Sequence, residues 1–219
     1  MKYFPVIILA ALSAATPLTA SAQKHKPATA GMYQQSGQLP PQQVQRYVID
    51  VFGDVDGLLL ADGSLVKFPA HQSSEVRAAI APGDSVAVTG AITQPKVIEA
   101  WQLSNTNSGA VLIRTPKPKF AAKLPKHLRS ATLRQLEAQG RVSHLVYGKK
   151  GEVKMALLED GTALRLGKQA QWVIGSQLSV GRMIAARGVG TQNEFGRSLE
   201  ATEIGVDNGP MTSLYGVTR

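Results

Sequence analysis

LLLADGSLVKF at Leu58–Phe68 and ALLEDGTALRL at Ala156–Leu166 show one pattern twice, 98 residues apart. In each stretch an apolar run leads into Asp-Gly, and a second apolar run follows it. Asp-Gly between apolar runs is a strong hairpin signal, because a tight primed turn needs positive φ at both central residues. The sequence therefore predicts the same β-hairpin in two places.

The repeat continues beyond the hairpin. The same offset sets Gly90 on Gly188, so that PGDSVAVTG lies over VGRMIAARG. The second copy is then three residues longer, in VGTQNEFGRS, before Ile98–Ala100 aligns with Leu199–Ala201. An insertion is tolerated between strands, whereas one inside a strand turns every following side chain to the other face. The alignment indicates a duplicated folding unit with a longer loop between its fourth and fifth strands.

The order of elements in one copy predicts the fold class. YVIDVFGDV from Tyr47 is a strand candidate, the hairpin adds two strands, and two more follow Pro82-Gly83. Between them SSEVRAAIA predicts a short helix, which Ser73 or Ser74 could cap. Five strands with a helix between the third and fourth is the layout of the OB-fold, a small Greek-key barrel. We therefore expect an all-β protein with two tandem OB-fold-like five-stranded barrels and short helices.

Composition divides the 219 residues into six segments. At the N-terminus Lys2 precedes an apolar run that is too short to span a membrane, and Ala20–Ala22 offers small residues to a signal peptidase. We expect cleavage before Gln23 and a periplasmic location. The expected segments are a signal peptide (1–22), a flexible tether (23–45), the first barrel (46–104), a basic linker with a short helix over Leu128–Ala138 (105–139), the second barrel (140–206) and a C-terminal tail (207–219). The chain has no Cys, which excludes disulfides and Cys-based zinc sites.

The net charge of +9 is concentrated in one region. Arg114–Arg141 contains eight basic residues and one acidic residue. Arg46–Leu103 has four basic and seven acidic residues, whereas Gly140–Gly205 has nine basic and six acidic residues. The linker and the second barrel are thus the parts suited to anions. The candidate anion-binding residues are Lys117, Lys119, Lys123, Lys126, Arg129, Lys149, Lys150, Arg187 and Arg197.

Two loops of the second barrel should flank the usual OB binding face. They are Gly148–Glu152, between its first and second strands, and Thr191–Arg197, between its fourth and fifth. Tyr147 and Phe195 are the candidate aromatic side chains of this face. OB barrels often bind single-stranded nucleic acid on such a surface, but this binding needs several aromatic platforms and a basic groove. The few aromatic residues and the acidic first copy make nucleic acid a second alternative only.

Motifs for catalysis and for metal binding are missing from the sequence. The four His residues have no second ligand at helical spacing, and neither H-E-x-x-H nor G-x-S-x-G occurs. DVDG at Asp54–Gly57 is part of a calcium-loop pattern, but Phe52 and Gly63 stand where the pattern needs carboxylates. We expect no enzyme activity, no resident metal and no cofactor.

The hairpin ALLEDGTALRL, the strand VGRMIAARG and the ending NEFGRSLEATEIG resemble exported OB-fold-type proteins of Gram-negative bacteria. The fold is also similar to that of small periplasmic OB-fold proteins linked to stress tolerance, and this resemblance implies binding of small ligands or cations. We expect a non-enzymatic periplasmic binding or interaction module. Its partner would be an anionic ligand, envelope surface or acidic protein that meets the basic linker and second barrel. The alternative is a small-ligand or cation-binding protein of envelope stress tolerance.

Overall fold

The Asp-Gly hairpins occupy the same place in two five-stranded barrels. The computed structural model describes residues 35–118, 130–131 and 133–216. The strands of the first half are β1 (Gln35–Ile49), β2 (Val55–Leu60), β3 (Leu65–Lys67), β4 (Ser85–Gln94), β5 (Val97–Asn105) and β6 (Val111–Ile113). Antiparallel pairing joins β1 to β2 and β4, β2 to β3, and β4 to β5. Parallel pairing of β3 with β5 closes the barrel, and β6 extends it beside β5.

The second half repeats this topology. Its strands are β7 (Arg134–Tyr147), β8 (Val153–Leu158), β9 (Ala163–Arg165), β10 (Met183–Asn193), β11 (Gly196–Val206) and β12 (Thr212–Ser213). β7 pairs with β8 and β10, and β9 pairs in parallel with β11. The strand order 1-2-3-5-4 is therefore closed in both halves, which confirms the prediction of an all-β fold with two tandem OB-like barrels. Both barrels fall within one compact unit.

A short helix follows the third strand of each barrel. α1 (Ser73–Ala79) lies after a 3₁₀ turn in the first barrel, and α2 (Lys168–Ile174) lies at the equivalent place in the second. Val76 of α1 is buried in the core of the first barrel. Ser73 does not cap α1, because its Oγ accepts the backbone N–H of Val55 at 2.8 Å instead.

Several of the expected boundaries are wrong, since β6 also lies in the expected linker and β12 in the expected tail. Residues 35–45, expected to be tether, form the first part of β1, and Gln35–Gln43 pairs with β4. Arg134–Ala138, expected to be linker helix, is the first part of β7 and pairs with β10. These polar runs have little apolar periodicity of their own. Their strand conformation comes from the neighbouring strand, whose N–H and C=O groups satisfy theirs.

The Asp-Gly turns are wider than the primed turn that the sequence suggests. Gly63 has a φ of 78° and Gly161 a φ of 89°, but Asp62 and Asp160 do not have positive φ. The Asp62 carboxylate instead accepts both the N–H and the Oγ–H of Ser64, each at 2.8 Å. Asp160 binds Thr162 in the same way, at 2.8 and 2.9 Å. The repeated Asp-Gly-Ser/Thr triplet thus closes each turn through its own side chains.

The repeated Gly90 and Gly188 mark a close approach between the fourth and fifth strands. A register shift interrupts the β4–β5 pairing at Gly90 and the β10–β11 pairing at Gly188. A Cβ at Gly188 would collide with the backbone carbonyl of Glu200, and one at Gly90 with that of Glu99. Glycine is therefore required at this irregularity in both copies.

We expect Gly188→Ala to lower the free energy of unfolding by about 2 kcal/mol, because the backbone of β11 cannot yield to the added methyl group. Gly37→Ala is the matched control, since a Cβ at that strand position meets nothing within 4 Å. Urea denaturation of both variants measures the difference. Equal stability of the two variants would contradict the close approach.

Candidate functional site

The two barrels pack against each other through equivalent positions of the repeat. The inter-barrel core is a cluster of buried apolar side chains that both barrels supply. Val48, Leu59 and Leu65 of the first barrel meet Val146, Leu157 and Ala163, the residues 98 positions later. Val97 and Met155 complete the cluster. Such reciprocal contacts are the signature of an isologous, two-fold interface, formed here within one chain.

Each Asp-Gly turn contacts the other barrel. The Arg46 guanidinium donates to the backbone carbonyl of Asp160, in the turn of the second barrel. His144, the residue equivalent to Arg46, has Nε2 at 2.5 Å from the backbone carbonyl of Gly63, in the turn of the first. The histidine is thus an interface residue, and the turns help to hold the barrels together.

The hairpins between the fourth and fifth strands also cross the interface. Gln94 of the first barrel binds the main chain of Tyr147 twice, with its Nε2 at 3.0 Å from the carbonyl oxygen and its Oε1 at 2.9 Å from the nitrogen. From the second barrel Thr191 Oγ1 donates to the carbonyl of Val51 at 2.8 Å, and Asn193 Nδ2 donates to that of Gly53 at 3.3 Å. Each hairpin therefore docks on the first strand, or the turn after it, of the opposite barrel.

The three-residue insertion makes these two contacts unequal. It places Phe195 against the first barrel, where its ring centroid lies 5.9 Å from that of Tyr47 in an edge-on arrangement. The Arg77 guanidinium carbon lies 4.5 Å from the Phe195 ring centroid, a cation–π distance. Phe195 is therefore half-buried in the interface and does not belong to an open binding face of the second barrel.

On the side of the longer hairpin the interface is closed by an ion pair. Arg165 Nη2 lies 2.8 Å from Asp56 Oδ1, and each side chain keeps only 16% of its surface exposed. The same nitrogen donates to the carbonyl of Ile49 at 2.7 Å. The repeat equivalents of this pair are Lys67 and Lys154, which are both cations.

A pocket opens at the interface beside the shorter hairpin between β4 and β5, where these two lysines lie. It has a volume of about 360 Å³. Its cationic lining side chains are Lys67, Lys149, Lys154 and Arg165, and Glu99 adds a carboxylate. The remaining lining residues are Thr93, Gln94, Val97, Val146, Tyr147, Gly148 and Met155. Both barrels contribute to it, so we call it the inter-barrel pocket.

Most charges around the inter-barrel pocket have partners. Arg165 pairs with Asp56, and Glu99 pairs with Arg114 at 3.0 Å. Lys154 Nζ lies 3.6 Å from Glu152 Oε1, which is longer than a hydrogen bond. Backbone N–H groups that donate to Glu152, with Lys154 as a smaller cause, lower the pKa of that carboxyl and keep it charged.

Two positive charges of the pocket have no counter-ion among the described residues. Within the part of the chain that the structure describes, neither Lys67 nor Lys149 has an ion-pair or hydrogen-bond partner for its ammonium group. Lys67 is half-buried as a residue. The pocket therefore carries an excess of two positive charges.

The structure separates the residues that the sequence proposed as an anion site. Lys149 and Tyr147 line the inter-barrel pocket, and the exposed Lys150 lies in the same turn without lining it. Arg187 pairs with Glu137 at 2.8 Å, and Arg197 donates to the backbone carbonyl of Glu137. These two arginines do not line the pocket. Of the linker residues, Lys117 is exposed, whereas Lys119, Lys123, Lys126 and Arg129 lie outside the described residues.

The sequence-based site set missed the contribution of the first barrel. The first barrel contributes Lys67, Thr93, Gln94 and Glu99. Its excess of acidic residues had argued against an anion site there. Lys154 and Arg165 of the second barrel were also left out of the set. The signal that could have found them is the 98-residue offset, which sets Lys67 on Arg165 and Asp56 on Lys154.

The acidic turn of the first barrel is occupied by internal contacts. Asp50 Oδ1 accepts the N–H groups of Phe52 and Asp54 at 2.9 and 3.1 Å, while burial raises the pKa of its carboxyl. Asp56 is bound to Arg165. Among the described residues no group of three His, Cys, Asp or Glu side chains is placed to hold a metal ion.

Comparison with protein-family models, curated proteins and solved structures finds no match to this chain. Among the described residues no helix has the length and apolarity that crossing a membrane requires.

We expect Asp56→Asn to lower the free energy of unfolding by about 2 kcal/mol, because it leaves the Arg165 guanidinium half-buried without its counter-ion. The double variant Asp56→Asn/Arg165→Met should recover part of this loss, since it also removes the unpaired charge. Denaturant unfolding of the double variant and of the two single variants, Asp56→Asn and Arg165→Met, measures the coupling. Additive losses would show that the pair does not stabilise the interface.

Proposed function

We propose that the protein is a non-enzymatic periplasmic binding protein that takes up an anionic ligand in the inter-barrel pocket. The observation that supports this most directly is Lys67, a half-buried residue that lines the pocket and has no counter-ion among the described residues. Positive charges gathered in a cleft raise the local concentration of anions. A bound anion would pair with Lys67, and Lys149 and Lys154 would strengthen its attraction.

The size of the pocket favours a small molecule over a polymer. Its volume of about 360 Å³ lies in the range of small-molecule sites. Single-stranded nucleic acid would need successive exposed aromatic platforms. Tyr147 lines the pocket and is 42% exposed, whereas Phe195 is docked on the first barrel.

The basic linker has a supporting role in this proposal. It starts beside the pocket, because Arg114 pairs with the pocket residue Glu99 and the exposed Lys117 follows three residues later. Clustered positive charge near a binding site raises the local concentration of anions and their association rate, and salt screens this effect. The linker would therefore steer anions to the pocket, and contact with an anionic envelope surface is the competing role.

Binding can be tested by thermal denaturation with phosphate, pyrophosphate and citrate as probes. A ligand at 100 times its Kd stabilises the native state by about 2.7 kcal/mol, or roughly 5–10 °C for a domain of this size. We expect Lys67→Gln/Lys149→Gln to abolish the shift. Lys150→Gln is the matched control, because this lysine lies in the same turn as Lys149 but does not line the pocket. Failure of every probe to raise the Tm, or equal loss in the control, would contradict the proposal.

A second variant separates the pocket from the linker. Neutralising Lys117, Lys119, Lys123 and Lys126 to Gln should slow anion association at low salt and leave the saturating Tm shift unchanged. Co-sedimentation with vesicles that contain anionic lipid tests the surface role directly. Vesicle binding that is lost with the linker charges and kept in Lys67→Gln would assign the linker to a membrane surface and not to the pocket.

The periplasmic location rests on the N-terminal sequence. When the full chain is expressed in a Gram-negative host, we expect the periplasmic fraction to contain a protein whose first residue is Gln23. Ala22→Glu should block processing, because signal peptidase needs a small residue before the cleaved bond. A cytoplasmic product that still starts at Met1 in the unmodified chain would overturn the location.

A further inference from the structure

We infer that the inter-barrel pocket selects small organic dicarboxylates. The inference rests on the proposed function and specifies its ligand class. It comes from comparing two places at the interface that the repeat makes equivalent. The closed side is the Asp56–Arg165 ion pair beside the longer hairpin. The open side is the part of the pocket that contains Lys67 and Lys154. The ion pair of the closed side shows which charged group is replaced on the open side.

At one position of the repeat the closed side has a carboxylate and the open side has a lysine. There the Asp56 carboxylate of one barrel binds the Arg165 guanidinium of the other at 2.8 Å. On the open side Lys67 stands in the place of Arg165, and Lys154 stands in the place of Asp56. Both lysines line the pocket. A carboxylate of the ligand between them would take the role that Asp56 has on the closed side.

A second substitution adds a second positive charge on the open side only. Lys149 lines the pocket, whereas its equivalent in the first barrel is Val51, whose carbonyl accepts the hydroxyl of Thr191. Both departures from the repeat, Asp56 to Lys154 and Val51 to Lys149, thus make the open side more positive. The two uncompensated charges match a dianion in number.

The apolar part of the pocket favours a carbon skeleton between the two anionic groups. Val97, Val146 and Met155 line it and are each at least 95% buried as residues. They belong to the inter-barrel core, so they form a rigid apolar floor. Inorganic phosphate and sulfate would satisfy the lysines without using this floor. A short hydrocarbon chain would pack against these side chains and gain van der Waals contacts with them.

The test is isothermal titration of the full chain with succinate, glutarate and citrate. Orthophosphate measures the contribution of charge alone, and succinamide measures that of the skeleton alone. We expect the dicarboxylates to bind at least tenfold more tightly than orthophosphate, and succinamide not to bind. Orthophosphate binding equal to or tighter than dicarboxylate binding would overturn the ligand class and leave the proposed anion site standing. Absence of binding by every anion would overturn both.

Lys154→Asp provides a sharper variant, because it rebuilds on the open side the opposite charges of the closed side. We expect it to raise the Tm of the unliganded protein by a few degrees and to weaken dicarboxylate binding at least tenfold. Lys154→Gln, which removes the charge without adding a carboxylate, should weaken binding and raise the Tm less. Unchanged dicarboxylate affinity in both variants would show that position 154 does not meet the ligand.

Discussion

The apolar contact between the barrels is the constraint on which the rest of the structure depends. Val48, Leu59 and Leu65 pack against the residues that the repeat makes equivalent to them, and burial of each large apolar side chain contributes about 1.5–3 kcal/mol. This contact fixes the barrels so that each Asp-Gly turn and each β4–β5-type hairpin meets the other barrel. The chain connection raises the effective concentration of the two surfaces, so the pair forms without a partner molecule.

The two sides of the inter-barrel interface differ in chemistry at the positions where the two copies of the repeat differ in sequence. The longer β10–β11 hairpin places Phe195 on Tyr47, and Arg165 binds Asp56, so one side is filled. On the other side the hairpin is shorter, and Lys67 faces a pocket also lined by Lys154 and Lys149. The position of a charge relative to the interface therefore carries more information than the net charge of either barrel.

The sequence was sufficient for the fold and insufficient for the site. Asp62-Gly63, Gly90 and their equivalents mark turns and close approaches that local chemistry determines, so the strand order could be predicted from them. Arg134–Ala138 could not be assigned correctly, because its strand conformation depends on pairing with β10. Phe195 and Lys67 have roles set by contact between barrels, and nothing in a linear sequence states how two barrels dock. The 98-residue offset makes Lys67 equivalent to Arg165, but this equivalence is informative only once the interface is known.

The presence of both barrels in one chain also has a genetic consequence. In a homodimer of a single barrel, every residue would occur on both sides of the two-fold axis, and one substitution would change both sides at once. A change from Asp to Lys at the position of Asp56 would then remove both interface ion pairs together. With the two copies encoded in one chain, one side can keep Asp56 and Phe195 to maintain stability. The other side is free to vary its residues, so recognition can change without loss of the interface.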